Sequence, residues 1–369
     1  MSISVVKPSV LALPKTGGDP TLANRGQSRE SENMAVFVGL DVGHRITAIC
    51  VVAEGDTPLL ETIVDTDAMA IASAIAGLEV PIELAAMEAG GTATWLAPAI
   101  RSHGLNVIQI DAVRVRKYTS ASPYKSDRND ARAIAHLVRA GLYHPVYEKS
   151  AYSQMARSLI AQRFAAIGQV VALKNSLRGS FWYHGLTLPL RNRARFEPSI
   201  SKLFDEHPEL RPVLEPNFEL LRAALAAVKT YDREVERLAS LDPVSVLLQT
   251  MPGVGPLIAL MYRTTIDEPN RFSTPSAVGS YLRLAPRLHA SGESCRHGRI
   301  SRRGDKLMRA YLYAAAKVHL FRINETTSLR VWGQQVRERK GTKVALVAMS
   351  RKMAVIMLHM WKNNEPYRM

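Results

Sequence analysis

Between residues 36 and 139 the spacing of apolar positions changes several times, and each change marks an element. Val36-Phe37-Val38-Gly39-Leu40 is a continuous apolar run of buried-strand character. Ile46 to Val52 reads as a second strand, and Leu59 to Val64 as a third after the Gly55-Asp56 turn signal. Residues 66 to 77 are rich in Ala and Ile at helical spacing. Ile82 to Met87 reads as a fourth strand, ending at Glu88-Ala89-Gly90-Gly91. A helix through Trp95, Leu96 and Ile100 then precedes a fifth strand, Asn106 to Ile110. A further helical run starts at Lys125-Ser126-Asp127 and continues through Ile134, Leu137 and Val138. Three adjacent strands followed by alternating helix and strand is the order of an α/β ribonuclease-H-like domain, assigned to residues 34–148.

The remainder reads as mainly helical. Met155, Leu159, Phe164, Ile167, Val170, Val171, Leu173 and Leu177 recur at helical spacing over 151–185. A second helical stretch runs from about Asn217, just after Pro216, to Leu241, following a loop that includes Pro189 and Pro198. The two predict an antiparallel coiled coil, an oligomerisation arm, within a connector over 149–243. A last domain, 244–369, opens on Leu247 to Pro256, where Met251-Pro252-Gly253-Val254-Gly255-Pro256 reads either as a helix-hairpin-helix turn or as a plain structural turn. Its tail, Lys340 to Trp361, reads as an amphipathic core helix. Residues 1–33 have no periodicity and read as a disordered leader, with Met34 as a natural start.

Charge changes the picture. The chain carries 48 Lys and Arg against 33 Asp and Glu, a formal +15. The excess is clustered: Arg114, Arg116, Lys117, Lys125 and Arg128 in one place, Arg287, Arg299, Arg302 and Arg303 in another. These are candidate contacts to a polyanion, nucleic acid being the natural one. Two cysteines, Cys50 and Cys295, in unrelated contexts speak against a disulfide scaffold or structural zinc. No uninterrupted apolar run spans a bilayer, so no membrane partner is expected and a cytoplasmic location is.

Four carboxylates then stand out. Asp127 and Asp130 are three residues apart, so on a helix they project from one face of neighbouring turns, where a shared cation would relieve their repulsion. Asp41 falls at the first strand's end and Glu88 at the fourth's, and open α/β sheets place sites at such ends. Two Mg2+ ions roughly 3.5–4 Å apart, held by hard oxygen ligands, can activate a nucleophile and stabilise a leaving oxygen on a phosphodiester. Asp41 would bridge them, with Glu88, Asp127 and Asp130 completing the set.

Gly39-Leu40-Asp41-Val42-Gly43, Met87-Glu88-Ala89 and Lys125-Ser126-Asp127-Arg128-Asn129-Asp130-Ala131-Arg132 resemble the DEDD motifs of insertion-sequence 110 family transposases, the bridge-RNA-guided DNA recombinases. The resemblance implies a Holliday-junction-resolvase-like (RuvC-like) N-terminal domain with Asp41, Glu88, Asp127 and Asp130 as catalytic metal ligands. It also implies donor and target DNA and a guide RNA as partners, and a homo-oligomer, dimer to tetramer. Pro286-Arg287-Leu288-His289-Ala290-Ser291-Gly292 resembles the family's C-terminal transposase domain, whose nucleophile is the serine preceding glycine; that role maps onto Ser291. A serine in a flexible, arginine-rich loop suits attack on a phosphodiester, because cations stabilise the developing charge. Ser294 and Ser301 compete for the role, and Ser301 reads better as the N-cap of the helix through Leu307 to Leu320. His289 offers either a base or a phosphate ligand.

The expectation is a DNA transposase in which the acids and Ser291 act on one phosphodiester. Two alternatives stay open: a metal-dependent junction resolvase using water, and an actin-like ATPase, since Asp41-Val42-Gly43 followed by Thr47 resembles a phosphate-binding hairpin.

Overall fold

A computed structural model describes residues 35–55, 57–120, 126–189, 193–291, 294–300 and 304–368, without the side chains of 193, 287–291, 294–297 and 299. The chain divides into two compact units between Glu148 and Lys149.

The first unit runs β1 (Val36–Val42), β2 (Ile46–Val52), β3 (Leu60–Asp65), α1 (Ala68–Ala76), β4 (Ile82–Glu88), α2 (Gly91–Ser102), β5 (Val107–Ile110), α3 (Ala112–Thr119) and α4 (Asp127–Arg139). The five strands form one sheet in the order β3-β2-β1-β4-β5. β1–β2 and β2–β3 are antiparallel, whereas β1–β4 and β4–β5 are parallel. This is the ribonuclease-H arrangement. Strand alternation sends Val36, Val38 and Leu40 to one face, where Ile71 of α1 and Leu96 and Ile100 of α2 cover them. The other face presents Ala48, Cys50, Val52 and Ala86 to α4, through Ala131, Ile134, Ala135 and Val138. Small residues there let α4 approach closely. Burial beside Glu61 pushes the Cys50 thiol up to about 12, which leaves it unreactive.

The second unit contains α5 (Ala151–Tyr183), α6 (Arg193–Glu206), α7 (Arg211–Leu241), α8 (Pro243–Leu248), α9 (Pro256–Ile266), α10 (Ala277–Tyr281), β6 (Pro286–Ser291), β7 (Ser294–Ile300), α11 (Lys306–Phe321), α12 (Ser328–Lys340) and α13 (Thr342–Asn363). α5 and α7 pair antiparallel: Arg163 Nε donates to Asp232 Oδ1 at 2.5 Å near one end, and Asn217 Nδ2 to Ser176 Oγ at 3.2 Å nearer the other. Beyond Ser176, Phe196, Ile200 and Phe204 of α6 pack with Leu177, Phe181 and Phe218. At the opposite end Ala156, Ile160, Val235 and Leu238 share a core with Leu260, Met261, Met353 and Met357. The apolar ends of the connector read over 149–243 are thus buried in the same core as residues of 244–369.

Three local readings change. Pro198 lies inside α6 and Pro216 inside α7, each in the second turn, where proline removes only one early backbone hydrogen bond. The arginine-rich loop is a β-hairpin, with Pro286 opposite Ile300 and Ser291 opposite Ser294. α11 is capped by Asp305, whose carboxylate accepts from Met308 N at 2.8 Å, and not by Ser301, which lies outside the described residues. Among the described helices only α13 is long and apolar enough to cross a membrane, and its Ala345, Leu346, Met349, Met353, Ala354, Met357 and Leu358 are buried in the unit's core.

The turn between α8 and α9 is fixed from inside. Gly253 has φ +88°, and an added Cβ would lie 2.8 Å from Ala315 O of α11. His319 of α11, fully buried, bonds Pro252 O at 2.9 Å through Nδ1 and Thr327 Oγ1 at 2.8 Å through Nε2. On its Gly253 side the turn is packed into the core, while Gly255 at the start of α9 is exposed. The start of α5 is anchored similarly: Ser150 N and Oγ both donate to the Asp267 carboxylate at 2.7 Å. Lys149 Nζ donates to Thr264 O and Thr265 O, and its burial pulls the ammonium down to about 8.

Candidate active site

The parallel register of β1 and β4 sets Gly39 opposite Ala86 and Leu40 opposite Met87, so Asp41 and Glu88 come next, side by side at the C-terminal edge. Both fall on the face that α4 covers. Asp41 is two residues beyond Gly39, whose missing side chain would meet α4, and Glu88 is two beyond Ala86, which packs with Ile134.

Helix α4 runs antiparallel to β1. Its last turn sits at the sheet's opposite edge, where Arg139 Nη1 donates to Ala53 O at 3.0 Å and Glu54 O at 3.2 Å just beyond β2. Its first turn therefore lies at the edge that carries Asp41 and Glu88. Along α4 the buried stripe is Ala131, Ile134, Ala135 and Val138. Stepping back by four from Ala131 and Ile134 gives Asp127 and Asp130, so both acids continue the sheet-facing stripe past the last packed turn. Ser126 caps the helix, its Oγ accepting from Asn129 N at 3.2 Å. Asp127 is exposed, while Asp130, Asp41 and Glu88 are half-buried.

Two contacts hold α4 in place. The Cβ of any residue but glycine at 39 would fall 2.1 Å from Ala131 O and 2.4 Å from Ala135 N, so helix and strand backbones are in direct contact. Arg132 grips Glu61 of β3 through two hydrogen bonds of 2.8 Å, Nε to Oε1 and Nη2 to Oε2, and that partner raises the guanidinium's pKa. Neither Gly39 nor Arg132 stands out as functional in the sequence by residue type alone. A glycine inside an otherwise apolar strand was the available signal for close approach.

Among the described residues no three His, Cys, Asp or Glu side chains stand close enough to hold a metal ion. The four acids share one edge without closing into a cage. Their chemistry, four hard carboxylates around one rim, fits a divalent cation.

Basic residues flank the rim. β5 lies parallel to β4 with Ile110 opposite Glu88, and α3 springs from its end with Arg114, Arg116 and Lys117 exposed. Arg128 is exposed on the first turn of α4, and Lys125 lies outside the described residues. In the second unit Ser291, Arg287 and Arg299 have described backbones in the hairpin but not side chains, and Arg302 and Arg303 lie outside the described residues. Thr47 is fully buried and bonds Thr66 Oγ1 at 2.9 Å, an internal role that leaves no hydroxyl for a nucleotide phosphate.

Residues 38–181 match the DEDD transposase domain of the IS110 type, and residues 245–331 match the domain described as transposase IS116/IS110/IS902 family. The chain belongs to the IS110 family of transposases. This is a family of DNA-cleaving and rejoining enzymes. Relatives include the transposase for insertion sequence element IS1111A of Coxiella burnetii, 28% identical over 288 residues, covering 76% of this chain and 78% of that one. A probable family 20 transposase of Pseudomonas aeruginosa is 29% identical over 298 residues, covering 79% and 87%. A Thermus thermophilus RuvC structure aligns with 30% of this chain and all of its own at 20% identity, with a TM-score of 0.24, too low to add weight.

Proposed function

We propose that this IS110-family transposase cuts and rejoins DNA through a covalent link to Ser291, assisted by metal held at Asp41, Glu88, Asp127 and Asp130, with target choice guided by a structured RNA. What supports the metal role is the edge shared by the four acids, two from adjacent parallel strands and two from the first turn of α4. Bound there, divalent cations, Mg2+ in this reading, would supply Lewis-acid stabilisation of charge on the phosphodiester. The carboxylates would hold the ions, and Arg114, Arg116, Lys117 and Arg128 would contact the phosphate backbone.

In the serine step the Ser291 Oγ–P bond forms and the P–O bond to the deoxyribose breaks. The serine proton leaves to a base and the departing oxygen takes up a proton. The phosphoserine conserves the ester bond, so rejoining is the same step reversed with a different strand. The arginines at 287, 299, 302 and 303 balance the developing negative charge. Base pairing with the guide RNA supplies sequence choice, the protein contributing backbone contacts. The antiparallel pair α5–α7 is proposed as the arm through which copies associate.

The test is to incubate the full protein, Mg2+ and the RNA transcribed beside its gene with labelled donor DNA, then run denaturing gels before and after protease. A protease-sensitive adduct that disappears in Ser291→Ala, and cleavage lost with RNA binding kept in Asp127→Ala, are the expected results. Cleaved DNA without an adduct would replace the serine step with a water-using nuclease, and cleavage retained in Asp127→Ala would remove the metal role.

A further inference from the structure

A cavity of about 1110 Å³ opens in the second unit between the β6–β7 hairpin and helices α12 and α13. Ile300 of the hairpin, Trp332 of α12, and Val344 and Val347 of α13 form its apolar walls, and Lys343, Arg351 and Lys352 bring positive charge to it. Lys352 Nζ stands 4.3 Å from the centroid of the Trp332 ring. No side chain lining the cavity among the described residues is acidic or carries a hydroxyl or amide, and none of the three cations is in an ion pair among those residues. Val344, at the first turn of α13, is 48% exposed.

We infer that this cavity binds unpaired DNA, bases against the Trp332 ring and the valines, phosphates on Lys343, Arg351 and Lys352. At about 1110 Å³ the cavity lies at the upper end of the roughly 300–1,000 Å³ of small-molecule sites and has room for a short stretch of polymer. An apolar peptide segment is the poorer occupant, because it would bury three cations with no counter-charge. Unpaired nucleotides bring one phosphate with every base, and each base has a π-face for an aromatic wall. A duplex keeps its bases stacked on one another and would leave the apolar walls unused. DNA is favoured over RNA because the described side chains of the lining offer no acceptor for a 2′-hydroxyl. The inference goes beyond the proposed cutting chemistry and is tested without it.

Binding of a fluorescein-labelled oligothymidylate to the full protein, without metal, is measured by anisotropy for the parent, Trp332→Ala, Lys352→Ala and Val344→Glu. Trp332→Ala should weaken binding roughly 5- to 150-fold, the loss of one stacked base. Lys352→Ala and Val344→Glu should each weaken it at least severalfold, with duplex DNA binding unchanged. Trp332 packs against the core, so the two exposed substitutions decide the matter if Trp332→Ala melts early. Parent-like affinity in both would overturn the inference. So would an equal loss of duplex binding, which would mean a general loss of positive charge, or a loss confined to oligouridylate, which would make the occupant RNA. Unchanged DNA binding with a smaller mass by light scattering in Val344→Glu would make the cavity a protein interface instead. Failure of any of these leaves Ser291 and the four acids untouched.

Discussion

Gly39→Ala adds a single methyl at the point where sheet and helix backbones touch. The new Cβ would start 2.1 Å from Ala131 O, and ordinary contact begins at 3.4 Å, so α4 or β1 must give way by about 1.3 Å. The obstacle is backbone on both sides, with no flexible side chain to turn aside. Overpacking of this kind costs about 1–3 kcal/mol. The more telling effect is on the rim, because a retreat of α4 carries Asp127 and Asp130 away from Asp41 and Glu88. A displacement on the order of 1 Å can cost about 100-fold in rate. Thermal melting and single-turnover cleavage of donor DNA, with binding measured alongside, separate the two effects. The expected result is a modest loss of stability, near-normal DNA binding and a cleavage rate reduced at least tenfold in the folded protein. Gly168→Ala in α5, where a Cβ meets nothing within 4 Å, is the control and should leave cleavage unchanged. A Gly39→Ala protein that melts and cleaves like the parent would refute direct contact between α4 and β1. One that is destabilised but cleaves at full rate would refute the idea that α4 sets the geometry of the rim.

Arg132→Lys keeps the charge but loses the two-pronged grip on Glu61. Since Arg132 is 43% exposed on its side chain, the expected loss in chemical denaturation is about 1 kcal/mol or less, and Glu61→Gln should add little to it in the double variant. Burial lowers the His319 pKa below its ordinary 6.5, so its stabilising contribution is full above that pH and is lost as pH falls through the lower folded value. His319→Gln should flatten the acid side of the melting-temperature profile, and an unchanged profile would exclude the imidazole as its source. Gly253→Ala combines a φ of +88° with a Cβ 2.8 Å from Ala315 O, and should lower the denaturation midpoint by about 1–3 kcal/mol of stability, whereas Gly104→Ala carries the positive φ alone and should cost less.

The first unit was legible because its strands are short apolar runs bounded by turn residues, and Ile46–Val52 is recovered to the residue. Asp41 and Glu88 were legible as strand-end acids. Their adjacency was not, since it depends on the parallel register, which no local pattern encodes. Helix α3 went unread because its eight residues hold three basic side chains and only Val115 is buried. Helix α6 was hidden by Pro198, which a helix accepts in its second turn. The hairpin passed for a loop because arginine, histidine and serine interrupt any apolar face. Its signal was the two-residue Gly292-Glu293 step between Ser291 and Ser294, a glycine-first pair of the kind tight hairpins use. Asp305, directly before Lys306, was the better cap than a serine several residues upstream, since the cap must reach the third residue of the helix.

Helix α4 is the last element of its unit to leave the ribosome, and it brings two of the four acids. β1 and β4 are separated in the chain by β2, β3 and α1, and their pairing must wait for all of these. Chain-ordered synthesis thus yields a sheet edge bearing two acids well before the other two arrive. Any truncated or stalled product that ends before Asp127 carries an incomplete set. Under the metal role proposed for Asp41, Glu88, Asp127 and Asp130, such a product lacks half of its ligands and should not cleave DNA.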